Sequence, residues 1–173
     1  VYDADSQAKF VMTTDGILLA QIKKEFGELS FNSDGSLNRS YLSSVVFKNP
    51  ERLSVLNGLV HPRVAEDYGK WVKAHSNDTY LIKEAALLFE SGSYKALDKV
   101  IVVFAPMDVR VQRVIKRDTK RSEDEIREII AKQIPEEEKL KKADAVIWND
   151  ETRLVIPQVL IFHEQFLTKS KSR

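Results

Sequence analysis

Apolar residues in the first 75 positions recur mostly at the spacing of an α-helix. Residues 1–5 have the pattern of a strand end that runs into a turn, and a helical stretch follows them. A second helix is predicted from about Asp15, and Gly27 stands where a left-handed C′ residue would close it. The cluster at 33–36 predicts a turn. We therefore expect this part of the chain to be mainly helical.

A longer helical pattern begins after Asn49. This residue is a suitable N-cap, and Pro50 fits the first helical position, where a missing N–H costs nothing. The apolar positions are Leu53, Leu56, Leu59 and Val60, followed by Val64, Tyr68, Trp71 and Val72. Pro62 lies between these two groups and lacks a backbone donor, so we expect it to break or restart the helix.

The second half alternates short apolar runs with helical patterns. The runs 79–82, 99–104 and 145–148 are rich in β-branched residues and lack polar alternation, which is typical of parallel strands covered on both faces. Helices are predicted over 108–117 and 122–134, and the latter begins with a Ser-x-x-Glu capping box. This alternation predicts an α/β fold with a parallel sheet.

Composition and charge narrow the class of protein. The 173 residues are 43% hydrophobic and 31% charged, as in a folded globular domain. The absence of cysteine from them excludes disulfides, thiolate metal sites and cysteine nucleophiles. The longest apolar run, 100–106, is too short to cross a bilayer, and with no export signal we expect a cytoplasmic protein. The net charge of +1 argues against a general nucleic-acid coat.

Two aspartates directly follow the first predicted strand end. Asp3 and Asp5 could hold a metal through water, or one could accept a proton from a substrate hydroxyl. The alternative is that one of them caps the following helix. In α/β sheets ligands bind beyond the carboxyl ends of the strands, so 84–90, 105–108 and Asn149 are the further candidate positions.

A basic segment lies between positions 110 and 121. Its cations are Arg110, Arg113, Lys116, Arg117, Lys120 and Arg121. The three arginines at 110, 113 and 117 share one face of the predicted helix. Guanidinium groups match phosphate oxygens in charge and geometry, so the segment favours an anionic ligand. The alternative is a solvated face that is balanced by the acidic run 136–138.

The chain has no recognisable phosphate-binding loop. Its Gly-Lys pair, Gly69-Lys70, is followed by Trp71 instead of Ser or Thr, and no G-x-G-x-x-G pattern occurs. By themselves, the residues predict no loop for a nucleoside triphosphate.

Short motifs in order along the chain nevertheless resemble one family. They are Asp3-Ala4-Asp5, Phe26-Gly27, Asp34-Gly35-Ser36-Leu37-Asn38-Arg39, Val46-Phe47, Leu56-Asn57, Val60-His61-Pro62, Leu87-Leu88-Phe89-Glu90, Arg113-x-x-x-Arg117-Asp118, Gln133 and Ala143-Asp144-x-Val146-Ile147-x-Asn149. Each motif is short, but their order and spacing resemble dephospho-coenzyme A kinase from Val1 to about Leu167.

The resemblance implies a reaction and a fold. Members transfer the γ-phosphate of ATP, with Mg²⁺, to the ribose 3′-hydroxyl of dephospho-CoA, the last step of coenzyme A synthesis. Their fold is a P-loop kinase-like three-layer α/β fold with a parallel sheet, a helical CoA-binding region and a lid. Here it implies a kinase domain over 1–167, an acceptor-binding region at about 6–75, a lid at about 117–130 and a polar tail at 168–173. The implied partners are ATP and dephospho-CoA, without nucleic acid or membrane, in a monomer or weak homo-oligomer.

The resemblance also implies roles for particular residues. Asp5 matches the general base for the 3′-hydroxyl, and Arg113 matches the arginine that holds the transferring phosphates. The residues implied in substrate binding are Asp3, Arg39, His61, Leu88 and Glu90. Those implied in the lid or in ATP binding are Arg117, Arg121 and Asn149, and no residue is implied as a metal ligand.

The front of the chain departs from the family pattern. Members place a strand, a Gly-rich loop with Gly-Lys-Ser/Thr and a helix before the Asp-x-Asp turn, and these would precede Val1. We interpret the chain as a fragment of a complete kinase and expect it to be inactive alone. The alternatives are a degenerate paralogue without catalysis, a kinase for another nucleoside or nucleotide, and a nucleic-acid-binding module.

Overall fold

The computed structural model describes residues 1–47, 49–119 and 121–170, and the chain divides into two compact units, Val1–Ala86 and Leu87–Arg173. The elements of the first unit are β1 (Tyr2–Asp3), α1 (Ala4–Thr14), α2 (Gly16–Phe26), α3 (Arg39–Val46), α4 (Pro50–Ala74) and β2 (Lys83–Glu84). Those of the second unit are β3 (Ile101–Phe104), α5 (Met107–Arg117), α6 (Glu123–Ala131), α7 (Glu136–Lys142), β4 (Ala145–Trp148) and α8 (Val155–Ser170).

The helices of the first unit surround a common apolar core. Leu18 and Ile22 of α2 are 0% exposed, and they pack with further buried side chains of the same unit. The others in this cluster are Val11, Phe26, Phe31, Leu42 and Val60. Of the apolar residues whose spacing predicted this helix, Leu18, Ile22 and Phe26 are buried as expected, whereas Ile17 and Ala20 are exposed, so the helical period identified the buried face only in part.

Strand β1 is short and is held by long-range contacts. It pairs in parallel with β2, with Tyr2 opposite Lys83. Tyr2 is 1% exposed, and its hydroxyl donates a hydrogen bond of 2.8 Å to the Asp67 carboxylate of α4. Its ring centroid lies 5.0 Å from that of Tyr68 and 5.4 Å from that of Trp71. These contacts fix the strand end from which Asp3 and Asp5 project.

The second unit contains another parallel pair. Strands β3 and β4 run in register from Ile101 opposite Ala145 to Phe104 opposite Trp148, which confirms the parallel α/β prediction. The Asp144 carboxylate fixes the entry to β4, since it accepts hydrogen bonds from the backbone N–H of Val100 at 2.9 Å and from Lys99 Nζ at 2.6 Å.

Three predicted helix starts are confirmed. Helix α2 begins directly after Asp15, which caps it by accepting from the backbone N–H groups of Ile17 and Leu18, both at 3.0 Å. Asn49 caps α4 through the Arg52 N–H at 3.0 Å. Helix α6 begins with the predicted capping box at Ser122.

The predicted break at Pro62 is wrong, because α4 continues from Pro50 to Ala74. Proline removes one helical hydrogen bond and costs about 3 kcal/mol in a helix interior. The apolar residues on both sides of it, Val60 and Val64, pack against the same core. This shared burial stabilises one continuous helix.

The prediction of a strand over 79–82 is also wrong, because β2 lies directly after that run. Pairing with β1 begins at Ile82, whose carbonyl accepts from the Tyr2 N–H at 2.7 Å, and continues through Lys83 and Glu84. The described strands form two two-stranded parallel sheets. Val103 of β3 is 59% exposed, so this strand is not covered on both faces as its apolar run predicted.

Three smaller expectations are corrected at element ends. Gly27 has the positive φ expected, +86°, but its ψ of 165° lies outside the left-handed helical region. Helix α6 ends at Ala131 instead of 134, because the Ile134 N–H donates to the Glu90 carboxylate at 3.1 Å. Helix α8 continues into the segment 168–170 predicted as a frayed tail, and residues 171–173 lie outside the described residues.

Among the described residues, none of the helices combines the length and the apolar character needed to cross a membrane.

Candidate active site

Three carboxylates meet at the carboxyl ends of β1 and β2. Asp3 lies opposite Glu84 in the strand register, and Asp5 follows in the first turn of α1. Burial raises the pKa of the Glu84 carboxyl above its usual range, and the negative charges of Asp5 and Asp3 raise it further. The sequence had marked 84–90 as a candidate segment without selecting Glu84.

Asp3 uses its carboxylate to cap α1. It accepts a hydrogen bond of 2.9 Å from the Ser6 backbone N–H and one of 2.7 Å from the Ser6 hydroxyl. These hydrogen bonds hold the pKa of Asp3 below its usual range. The helix-cap alternative considered for the Asp-x-Asp motif therefore applies to Asp3.

Asp5 differs from Asp3 although only one residue separates them. Its side chain is exposed, and within the described part of the chain its carboxylate has no hydrogen-bond or ion-pair partner. A carboxylate in this state can accept a proton from a hydroxyl group brought to the strand end.

Arg39 and His61 occupy other parts of the first unit. Arg39 is the first residue of α3, and His61 lies in the middle of α4; both are exposed. In the described part of this unit, no hydrogen bond or ion pair joins either residue to Asp3 or Asp5. The structure thus leaves these two separate from the acidic cluster.

In the second unit, two predicted residues meet beyond the ends of β3 and β4. The Arg113 guanidinium donates through Nη2 to Asn149 Oδ1 at 3.2 Å and to Glu151 Oε1 at 3.4 Å. Asn149 is in turn held by its backbone N–H, which donates to the Phe104 carbonyl at 2.8 Å. An open cavity of about 290 Å³ lies beside Arg113. Its other lining residues are Asp108, Val109, Gln112, Lys116 and Glu151.

The cations of the basic segment fall into two groups. Arg110 pairs with Glu136 at 2.9 Å, as the balanced-face alternative expected, and Arg121 pairs with Asp118 at 3.0 Å. Lys116 and Arg117 are exposed and have no ion-pair partner among the residues that the structure describes. Lys120, also counted in this segment, lies outside the described residues. Positive charge available to a ligand is therefore concentrated at the C-terminal end of α5.

Glu90 and Leu88 lie before the short 3₁₀-helix that precedes β3. Glu90 accepts from the Ile134 backbone N–H at 3.1 Å, and Lys139 Nζ lies 3.9 Å from the same oxygen. Leu88 is half-buried, and its carbonyl accepts from the Ser91 hydroxyl at 3.2 Å. In this structure Glu90 orders the segment that follows α6.

Comparison with known proteins identifies the family. The family model described as Dephospho-CoA kinase matches residues 1–154. The chain belongs to the dephospho-CoA kinase family. The resemblance drawn from the short motifs is thereby confirmed, and so is the enzyme class, a kinase.

Curated relatives agree with the family match. A dephospho-CoA kinase of Bacteroides fragilis is 36% identical over 161 residues, which cover 92% of this chain and 77% of that protein. One of Fusobacterium nucleatum is 39% identical over 150 residues, or 87% of this chain and 76% of the relative.

Solved structures support the dephospho-CoA kinase fold. A Thermus thermophilus protein superposes with a TM-score of 0.70 at 33% identity, over 86% of this chain and 74% of that one. The dephospho-CoA kinase from Campylobacter jejuni superposes with a TM-score of 0.62 at 26% identity, over 99% of this chain and 81% of that one.

Sequence reasoning missed Glu151 of this dephospho-CoA kinase family member. It lies two residues beyond Asn149 and reaches Arg113, a residue 38 positions earlier in the chain. The sequence offered one indication of Glu151, its place shortly after the predicted strand 145–148. Its ion pair with Arg113 could not be predicted, because ion pairs between distant residues have no local sequence signal.

Proposed function

We propose that the protein transfers the γ-phosphate of ATP to the ribose 3′-hydroxyl of dephospho-CoA, the last step of coenzyme A synthesis. Family membership supports this reaction. The assignment of the base depends on one observation: the Asp5 carboxylate lies beside a strand end, is exposed, and has no hydrogen-bond or ion-pair partner among the described residues. Asp3 supports it by capping the helix on which Asp5 stands.

Asp5 acts in this proposal as the general base. Phosphoryl transfer depends mainly on positioning and charge neutralisation, so the base orients the hydroxyl and takes its proton late. The carboxylates of Asp3 and Glu84 lie near Asp5 at the same strand ends.

The phosphates of ATP are assigned to the second unit. Arg113 binds the transferring phosphate, and Asn149 both orients Arg113 and lies near the adenine. Arg117 and Arg121 of the lid segment neutralise the negative charge that develops on the transferring phosphate. To do so, Arg121 leaves its exposed ion pair with Asp118 and binds phosphate instead. Guanidinium groups suit this task because they pair with two oxygens at once.

The acceptor is assigned to the remaining predicted residues. Arg39 supplies an exposed positive charge for the phosphates of dephospho-CoA, and His61 supplies a hydrogen-bonding group on α4. Leu88 and Glu90 contribute from the segment before β3, with Glu90 acting through the backbone that it orders.

Mg²⁺ enters this proposal as part of the substrate, the complex of Mg²⁺ with ATP. Among the described residues, no group of three or more His, Asp or Glu side chains is placed to hold a metal ion, so we assign no protein ligand to it. We further propose a monomer or weak homo-oligomer that works in the cytoplasm and does not bind nucleic acid. The pairing of Arg110 with Glu136 supports the last point.

The assay is ADP release that depends on dephospho-CoA, measured on the protein expressed from its complete reading frame. Asp5→Asn is expected to lower kcat about 100-fold or more, because general-base catalysis contributes about that factor, with little change in KM for the acceptor. Asp78→Asn, an exposed aspartate of the same unit outside the acceptor region, is the control and keeps the parent rate. An unchanged kcat in Asp5→Asn would show that Asp5 is not the general base.

The acceptor is tested separately with a panel of nucleosides and nucleotides. Turnover restricted to dephospho-CoA supports the proposal. Faster turnover of another nucleoside or nucleotide would contradict it and identify that compound as the acceptor. Binding to oligonucleotides that weakens steeply with salt would favour the nucleic-acid alternative.

A further inference from the structure

Glu151 has an unusual backbone conformation. Its φ is +67°, and it is the one residue other than glycine with a positive φ in the part of the chain that the structure describes. A side chain in this region costs about 1–2 kcal/mol relative to ordinary backbone. Such a conformation persists only where the surrounding structure imposes it.

The neighbours of Glu151 impose this conformation from both sides. Before it, the Asn149 N–H is fixed on the Phe104 carbonyl of β3 at 2.8 Å. Asp150 then accepts from the Thr152 N–H at 3.1 Å and from the Thr152 hydroxyl at 2.8 Å, which closes a tight turn around Glu151. The backbone of Glu151 is therefore held in a turn from which its side chain reaches Arg113 of α5.

At that place the carboxylate faces a cation of the proposed ATP site. Glu151 Oε1 lies 3.4 Å from Arg113 Nη2, and the two side chains are 66% and 40% exposed. The same guanidinium nitrogen donates to Asn149 Oδ1 at 3.2 Å. Glu151 also lines the cavity that Arg113 and Lys116 share. A long, exposed ion pair of this kind exchanges readily for a stronger anion.

We propose that Glu151 is a positioning residue that holds Arg113 against Asn149 before nucleotide binds and then yields Arg113 to the phosphates of ATP. This rests on the proposed function, because it takes Arg113 as the phosphate-binding arginine. A triphosphate carries several negative charges and can accept two hydrogen bonds from one guanidinium, so it displaces a single carboxylate. Until it does so, Glu151 competes with ATP and repels it.

The inference predicts tighter nucleotide binding when the carboxylate is removed. In Glu151→Gln the dissociation constant for ATP, measured by titration calorimetry on the full protein without acceptor, is expected to fall about two- to fivefold, the factor that corresponds to an exposed ion pair. Glu151→Gly removes the same carboxylate and also relieves the positive φ, so it should bind ATP as tightly as Glu151→Gln and melt at a higher temperature. Glu137→Gln, an exposed glutamate of α7, is the matched control and leaves ATP affinity unchanged.

A double variant tests whether Glu151 acts through Arg113. In an Arg113→Gln background, Glu151→Gln is expected to change ATP affinity far less than it does in the parent. Three results would each overturn the inference. The first is an unchanged or weaker ATP affinity in Glu151→Gln, and the second is tighter ATP binding in Glu151→Gly alone. The third is an equally large gain in ATP affinity from Glu151→Gln in the Arg113→Gln background. If Glu151→Gln binds ATP more tightly but the parent protein does not phosphorylate dephospho-CoA, the inference about Glu151 is supported and the proposed acceptor is refuted.

Discussion

Replacing Tyr2 with phenylalanine tests the contact that holds β1 in place. The substitution removes a single hydroxyl group from a side chain that is 1% exposed. That hydroxyl donates to the Asp67 carboxylate at 2.8 Å and lies 3.3 Å from the Val64 carbonyl. The ring keeps its contacts with Tyr68 and Trp71, so the change isolates the hydrogen bonds.

The expected loss of unfolding free energy is about 1.5 kcal/mol. A hydrogen bond to a charged group contributes about 1.5–3 kcal/mol. Asp67 is half-buried, so water replaces part of the lost bond, and the lower value applies. For a chain of this size the loss corresponds to a decrease in Tm of about 3–6 °C.

Urea denaturation followed by tryptophan fluorescence measures this loss. The chain has two tryptophans, and in a Trp148→Phe background Trp71, whose ring lies 5.4 Å from that of Tyr2, reports on the first unit alone. Ser54→Ala is the control, because it removes an exposed hydroxyl of the same unit that has no hydrogen-bond partner among the described residues. A loss in Tyr2→Phe no larger than in Ser54→Ala would refute the reasoning.

The pH dependence provides a second measurement of the same contact. Burial, and then the hydrogen bond to Asp67, raise the pKa of Tyr2 well above its ordinary value. Below pH of about 10 the phenol is protonated in both folded and unfolded chains, so its contribution is fully present. As the pH rises further, the unfolded phenol ionises first and stability falls. Tyr2→Phe should show a smaller fall, and an equal fall in both proteins would contradict the assignment.

Two further substitutions test the core and the acidic cluster. Leu18→Ala, at a position 0% exposed, is expected to cost about 3 kcal/mol of unfolding free energy, whereas its neighbour Ile17→Ala, 59% exposed, should cost under about 1 kcal/mol; equal losses would disprove the assignment of the buried face. Glu84→Gln should stabilise the protein at neutral pH, because a carboxyl whose pKa is raised in the folded state lowers the stability as the pH rises and the carboxyl ionises. The difference from the parent should vanish as the pH falls below the ordinary pKa of glutamate, and a difference that persists there would show that charge is not the cause.

The elements predicted most accurately depend on interactions between close neighbours. The run 145–148 is β4 as predicted, and the caps at Asp15, Asn49 and Ser122 are made by side chains within three residues of their partners. Local chemistry of this kind can be seen in a short stretch of sequence. Pro62 shows the opposite case, since the helix continues through it because of burial against residues far away in the chain.

The candidate site was predicted in part. The Asp-x-Asp motif pointed to the end of β1, and the positions after the strands included both Glu84 and Asn149. The family resemblance gave Asp5 and Asp3 different roles, but the motif left open which of them caps the helix, and only the hydrogen bonds to Ser6 show that Asp3 is the cap. Glu90 was expected to bind substrate, and its contact with the Ile134 backbone could be seen only in the folded chain.

The sequence by itself therefore determined the family, the α/β class with parallel strands, and several of the charged residues at the strand ends. Periodicity, capping and short motifs suffice for these because they extend over a few residues. The tertiary structure decided which charges remain available: Arg110 is paired with Glu136, while Arg113 is shared between Asn149 and Glu151. Partners separated by 26 to 38 positions are selected by packing, and packing has no local signature in the chain.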